Sequence, residues 1–306
     1  MTGVEYIEAR SVEEASRALT EQGEGAKLIA GGLALIILMN HRLLQPTCLI
    51  SIRRLRELRY IRWDDAAGLR IGALTTHREI ETSRVVRRRA PVLVEMEGQV
   101  GSIQVRNAGT IGGNLCHGDP REDPAPALLV LDAEVTLASA AGARSLPLRG
   151  FFVDFLSTAL QPGELLTEVR VPPLPPGTGA TYVKFSHRNA LDFPVAGVGA
   201  RVTLDADGVC QDARLALGAV GPTPLLCDEA AGLLRGERPS PGLLEEVARR
   251  ARALAAPSSD VFGSEEYKRH LVGVLSRRAL EQAWQVAGDG REATRGRGRQ
   301  RSREGA

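Results

Sequence analysis

Apolar positions near the start of the chain recur at helical spacing, with Val12, Ala15 and Leu19 on one face. Ser11 precedes them and Glu14 follows three residues later, the spacing of a capping box, and Gly23 supplies a stop, so a helix is predicted over about 12–22. KLIA then reads as a strand closed by Gly31 and Gly32, and LALIILM, residues 33–39, is apolar on every side and reads as a buried helix. CLISI and LRIGAL continue as strands. Thr76 with Glu79 forms a second capping box near His77, and the stretch from Val85 to Gly101 reads as one long helix. PALLVLDAEVTLAS passes from apolar helix to strand.

The pattern changes at VPPLPPGTG, residues 171–179. Proline is excluded from helix interiors and central strands, so this segment marks a boundary. Beyond it TYVKF, VAGVGARVTL and VCQDARLALGAV read as strands, the last two joined through Asp207 and Gly208, a strong hairpin signal. Helical patterns follow near 228–235, 242–255 and 264–286. The expected fold class is α+β, with a first domain over 1–175 and a second over 176–286 built on a three-stranded antiparallel sheet backed by helices.

Composition narrows the possible functions. The formal charge is +2, yet the tail from Gly288 carries six arginines against Asp289, Glu292 and Glu304, a net +3 that leaves the rest at −1. A near-neutral body gives no basic face for nucleic acid, and the tail over 287–306 reads as a disordered, solvated extension. The longest apolar run has seven residues, where a membrane span needs roughly 20. Cys48, Cys116, Cys210 and Cys227 form no CxxC pair, which argues against a disulfide framework, a structural zinc site or an iron–sulfur site in this chain. The N-terminus has no apolar leader pattern, and a reducing, cytoplasmic compartment is expected.

Candidate chemistry sits at two glycine pairs, AGG at 30–32 and TIGGN at 110–114, each following an apolar or β-branched run. Glycine permits positive φ and close backbone approach, and successive N–H groups in such turns make a concave nest for phosphate oxygens. The bland reading of either pair alone is a plain tight turn. Neither GEGAKL nor GVGARV lies where a Rossmann fingerprint must lie, and no Walker pattern occurs, so a diphosphate here belongs to another fold. Ser186, His187 and Asp192 lie in one segment without a nucleophile elbow and are not read as a triad. His77 and His117 are given no proton-transfer role; no side chain is assigned a catalytic or metal-binding one.

Three stretches, AGGLALIILMNHRL, IGALTTHREIE and VGSIQVRNAGTIGGNLCHGDPREDPAPALLVLDAEV, resemble the FAD-binding medium subunit of the molybdenum hydroxylases, the xanthine dehydrogenase and aerobic carbon monoxide dehydrogenase families. YVKFSHRNALDFPVAGVGARV and EEYKRHLVGVLSRRALEQA resemble that family's C-terminal flavoprotein domain. The resemblance covers about residues 4–286 in order. It implies an FAD domain of the PCMH (vanillyl-alcohol oxidase-like) type in two lobes, about 1–55 and 56–175. It also implies partners: a large molybdopterin subunit and a small iron–sulfur subunit, in a dimer of heterotrimers that hands electrons to an acceptor.

Position by position, the resemblance makes Leu28, Ile29, Ala30, Gly31, Gly32, Leu33, Ala34 and Leu35 the first diphosphate nest, and Thr110, Ile111, Gly112, Gly113 and Asn114 the second. It puts Asp123 at the flavin's polyol region, Leu166 against the isoalloxazine ring and Lys184 near the flavin, where an ammonium favours the reduced, negatively charged ring. The bland readings are a turn-capping aspartate, a core leucine and a solvated lysine. Leu33 and Ala34 depart from the family, which places a polar residue and then Ser, Thr or Asp there. A hydroxyl hydrogen bond worth roughly 0.5–1.5 kcal/mol is thereby absent. Cys116 stands where a small inert residue is usual. Two rival readings stay open: a stand-alone flavin oxidoreductase, and a non-catalytic assembly subunit with a weakened flavin site.

Overall fold

The chain is described here by a computed structural model covering residues 3–188 and 192–304, with side chains described to residue 289. Ser11 caps the first helix by accepting from the Glu14 N–H, while Glu14 reaches back to the Arg10 N–H rather than to Ser11. The elements so begun are β1 (Glu5–Glu8), α1 (Val12–Gln22), β2 (Ala26–Ile29), α2 (Leu33–Asn40) and β3 (Cys48–Ser51). The three strands form a parallel sheet in the order β1-β3-β2.

Next come β4 (Ile61–Asp64), β5 (Gly68–Gly72), α3 (His77–Thr82), α4 (Arg84–Arg89), α5 (Pro91–Glu97), α6 (Ile103–Ala108), α7 (Ile111–His117) and α8 (Pro124–Val130). The single helix expected from Val85 is broken at Ala90, which sits at φ −148°, ψ 66°. Pro91 is the cause: its ring excludes the helical region for the residue before it. After α8 run β6 (Glu134–Ser139), β7 (Gly142–Pro147), β8 (Phe152–Asp154), β9 (Ser157–Thr158) and β10 (Leu165–Val171). A five-stranded sheet has the order β4-β5-β10-β6-β7, and its described pairings are antiparallel.

The last stretch holds β11 (Thr178–Phe185), β12 (Ala196–Leu204), β13 (Cys210–Gly218), β14 (Leu225–Leu226), α9 (Asp228–Gly232), α10 (Pro241–Leu254) and α11 (Glu265–Glu304). The three expected strands are extended by the two-residue β14 into an antiparallel sheet, β11-β12-β13-β14. Helix α11 carries the backbone into the arginine-rich segment where an unstructured tail was expected. Arginine, glutamine and alanine are good helix formers, and the helix is already nucleated upstream by its packed part, which includes Ala287.

By contacts the chain divides into two units, Met1–Asp119 with Asp132–Pro173, and Pro120–Leu131 with Leu174–Ala306. Where one boundary near 175 was expected, the segment bearing α8 belongs with the C-terminal residues. Its reason is packing: every residue of α8 is buried, and the helix lies on β12 and β13.

One expectation fails outright. Helix α2 has no buried residue, and Ile36 and Ile37 are 47% and 57% exposed. An all-apolar helix predicts avoidance of water but does not supply a cover. Its N-terminal end is packed where Leu33 meets Gly109.

Candidate functional site

In the first unit the two glycine segments are brought together. Leu28 and Ile29 end β2, Ala30 and Gly31 turn, and Gly32 is the N-cap of α2 at φ +79°, a conformation that favours glycine. A Cβ on Gly31 would collide with the backbone carbonyl of Ala108, so this turn lies directly on the end of α6. Among the described residues no acceptor is bonded to the N–H groups of Gly32, Leu33, Ala34 and Leu35. These are the orphan donors of a helix start, aligned with the positive end of the helix dipole, the arrangement that binds anions.

The second segment is built differently from the expected nest. Thr110 is the N-cap of α7, its hydroxyl accepting from the Gly113 N–H at 3.1 Å and its carbonyl from Asn114 at 2.9 Å. The Ile111 and Gly112 N–H groups donate to the carbonyls of Thr75 and Ala73. The N–H groups of 111–114 are therefore spent inside the chain, because the loop docks edge-on to the residues after β5. Gly112 permits that docking, as a Cβ there would stand 2.6 Å from the Ala73 Cβ. What this segment offers a ligand is an exposed, side-chain-free position at Gly113 and a buried Asn114 Oδ1 with no hydrogen-bond partner. A buried unpaired carbonyl costs free energy until a donor reaches it.

Leu166 is buried in β10, opposite Leu137 of β6, and β10 packs against α7. The structure thus shows Leu166 in the sheet core.

In the second unit Asp123 and Lys184 come together with a residue that sequence reasoning passed over. Asp123 precedes α8 but makes no capping bond. Its carboxylate accepts instead from the Tyr182 hydroxyl at 2.6 Å and from Lys184 Nζ at 2.9 Å, all three groups being buried. Strand alternation puts Tyr182 and Lys184 on the same face of β11, and opposite them on β12 stand Gly199 and Gly197. Gly197 leaves the space: a Cβ there would lie 2.5 Å from the Tyr182 hydroxyl. Burial, and then the adjacent Asp123 carboxylate, push the Tyr182 phenol well above its ordinary value. The period-two spacing of Tyr182 and Lys184 in YVKF was the available signal for Tyr182.

No disulfide joins the cysteines; Cys48, Cys210 and Cys227 are buried and Cys116 half-buried. Among the described residues no cluster of three or more potential metal ligands occurs, and no helix is long and apolar enough to cross a membrane.

Residues 2–174 match the family described as the FAD binding domain in molybdopterin dehydrogenase, and residues 181–283 match the CO dehydrogenase flavoprotein C-terminal domain. The chain belongs to this family of FAD-binding medium subunits. It is 38% identical to the 6-hydroxypseudooxynicotine dehydrogenase complex subunit alpha of Paenarthrobacter nicotinovorans, over 91% of this chain and 94% of that one. The carbon monoxide dehydrogenase medium chain of Hydrogenophaga pseudoflava is 35% identical over 92% of this chain and 96% of its own. The solved structure of carbon monoxide dehydrogenase from that organism superposes with a TM-score of 0.89, covering 92% of this flavoprotein and 98% of the matched chain.

The flavoprotein's residues fit an FAD. The helix start at Gly32–Leu35 suits a diphosphate, a Cβ-free approach lies at Gly113, and Asn114 Oδ1 is an acceptor awaiting a donor.

Proposed function

We propose that this chain serves a three-subunit molybdenum hydroxylase as its FAD-carrying electron-transfer subunit, with the FAD diphosphate on the N–H groups of Gly32–Leu35. The observation that carries the placement is that row of unbonded donors at Gly32–Leu35, on a turn packed against Ala108 and Gly109, the residues that lead into Thr110–Asn114. Bound FAD exchanges electrons singly or in pairs, which suits it to stand between one-electron iron–sulfur clusters and an acceptor.

The chain's own residues do the holding. Backbone donors, which need no hydroxyl at Leu33 or Ala34, fix the diphosphate; Gly113 lets the ligand approach; Asn114 accepts one of its hydrogen-bond donors. We also infer that Asp123 meets the polyol, that Lys184 lies near the flavin ring and Leu166 against it, and that Tyr182 orients the Asp123 carboxylate. Substrate oxidation then belongs to a large molybdopterin subunit, and delivery of electrons to a small iron–sulfur subunit, in a cytoplasmic dimer of heterotrimers.

Two measurements test this. The purified chain mixed with FAD is expected to keep a yellow visible spectrum through gel filtration, and Gly113→Val or Asn114→Leu to lose it. A stable colourless wild-type chain would favour the assembly-subunit reading. The complex purified with its partners is expected to contain iron and molybdenum, and a flavin-only complex would overturn the electron-transfer role in favour of a stand-alone flavin enzyme.

A further inference from the structure

Near the meeting point of the two glycine segments lies a buried, hydrogen-bonded histidine–glutamate pair. His77 Nδ1 stands 2.7 Å from Glu97 Oε2, and the two residues are 2% and 0% exposed. The other Glu97 oxygen, Oε1, is buried without a hydrogen-bond partner among the described residues. Such a group is costly, so its retention calls for an explanation.

His77 is the first residue of α3, fixed there by a complete capping box between Thr76 and Glu79. A first-turn N–H has no acceptor in its own helix, and here it donates to the Gly109 carbonyl at 3.1 Å. The imidazole then packs close to Gly109: a Cβ on that glycine would stand 3.0 Å from His77 Cδ2 and 3.2 Å from Leu33 Cδ1. Gly109 therefore packs close to both the His77 ring and the first residue of α2, while Gly31 rests on the preceding carbonyl, that of Ala108.

We infer that His77, held in place by Glu97 on α5, is the positioning residue of the flavin cradle, setting the Ala108–Gly109 seat on which both glycine segments rest. It acts through the backbone and touches no reacting atom. The inference rests on the cradle reading above.

The test uses the full chain, stripped of flavin and titrated with FAD. His77→Gly is expected to weaken FAD binding by about tenfold or more relative to Leu148→Ala, a core truncation after β7, compared at equal stability. Imidazole added to the buffer is expected to restore the binding. Affinity within about twofold of the control, or a loss that imidazole does not reverse, overturns the inference. If His77→Gly does not fold, the double variant His77→Leu, Glu97→Leu replaces the pair with apolar groups of similar size. The same loss is expected of it, and wild-type affinity overturns the inference. Gly113→Val separates the two readings: FAD retained there removes the cradle itself, whereas FAD lost there but kept in the His77 variants removes only the role of His77.

Discussion

At Asp123 a buried carboxylate accepts from a cation, Lys184, and from a neutral donor, the Tyr182 hydroxyl, and the two contribute unequally. Tyr182→Phe deletes a single hydrogen bond and is expected to cost about 0.5–1.5 kcal/mol. Lys184→Met removes the cation from a buried charge pair and is expected to cost about 3–5 kcal/mol in urea unfolding of the chain. Equal losses from the two would show the ammonium to be solvated. Gly197→Ala is expected to resemble Tyr182→Phe, because its new methyl group occupies the place of the hydroxyl. Alkaline pH adds a second check. Burial raises Tyr182 well above its ordinary 10.0, and burial with the Glu168 hydrogen bond raises Tyr60 to about 12. A folded-state pKa above the unfolded one gives stability that is full below about pH 10 and lost as pH rises toward the folded value. A native tyrosinate titration is expected to show these two phenols ionising late, and the midpoint of urea unfolding to fall above pH 10 more steeply in wild type than in Tyr182→Phe. Of the cysteines, burial pushes Cys210 to about 11 and Cys227 to about 12, so an aromatic disulfide reagent at neutral pH is expected to label Cys116 alone.

Helix starts show which local devices serve the fold and which serve the site. Ser11 and Thr110 both cap helices through one side-chain oxygen. Substituting either by Ala is expected to cost about 1 kcal/mol of stability, but only Thr110→Ala is expected to speed FAD release, since the Thr110 cap shapes the Gly113 position. Equal release rates would show that segment to be a plain turn. The Ser11 cap, the Gly23 stop and the Asp207–Gly208 hairpin were legible because each is a contact between near neighbours in sequence. The break between α4 and α5 was legible too, from Pro91, had the proline been weighed above the apolar spacing around it. Other features were not. Asp123 and Tyr182 are 59 positions apart, so their bond is decided by how a strand meets a helix start. The exposure of α2 was hidden for the opposite reason: apolarity records which surface avoids water, not which neighbour covers it. Nor does a glycine pair announce whether its N–H groups are free, as at Gly32–Leu35, or consumed by docking, as at 111–114.

At the scale of the molecule, resemblance over nearly the whole chain carried more than any single motif, because order and spacing over about 280 residues are matched far less often by chance than GG. What it did not disclose is the double crossing between units, in which Pro120–Leu131 leaves the first unit to pack under the sheet of the second. A fragment ending at residue 175 keeps α8 but lacks β12 and β13, and is expected to aggregate. A fragment starting at 174 lacks α8 and uncovers Gly199 and Gly218, both of which pack against Pro126. Light scattering and urea unfolding of the two fragments check this, and two well-folded monomers would refute it. The same crossing has a consequence for biosynthesis. The ribosome makes α8 well before the strands that shelter it, so the nascent chain must carry seven apolar or proline-bound residues uncovered until β13 has emerged. Pauses in translation between these points are therefore the moments at which this protein most needs a chaperone.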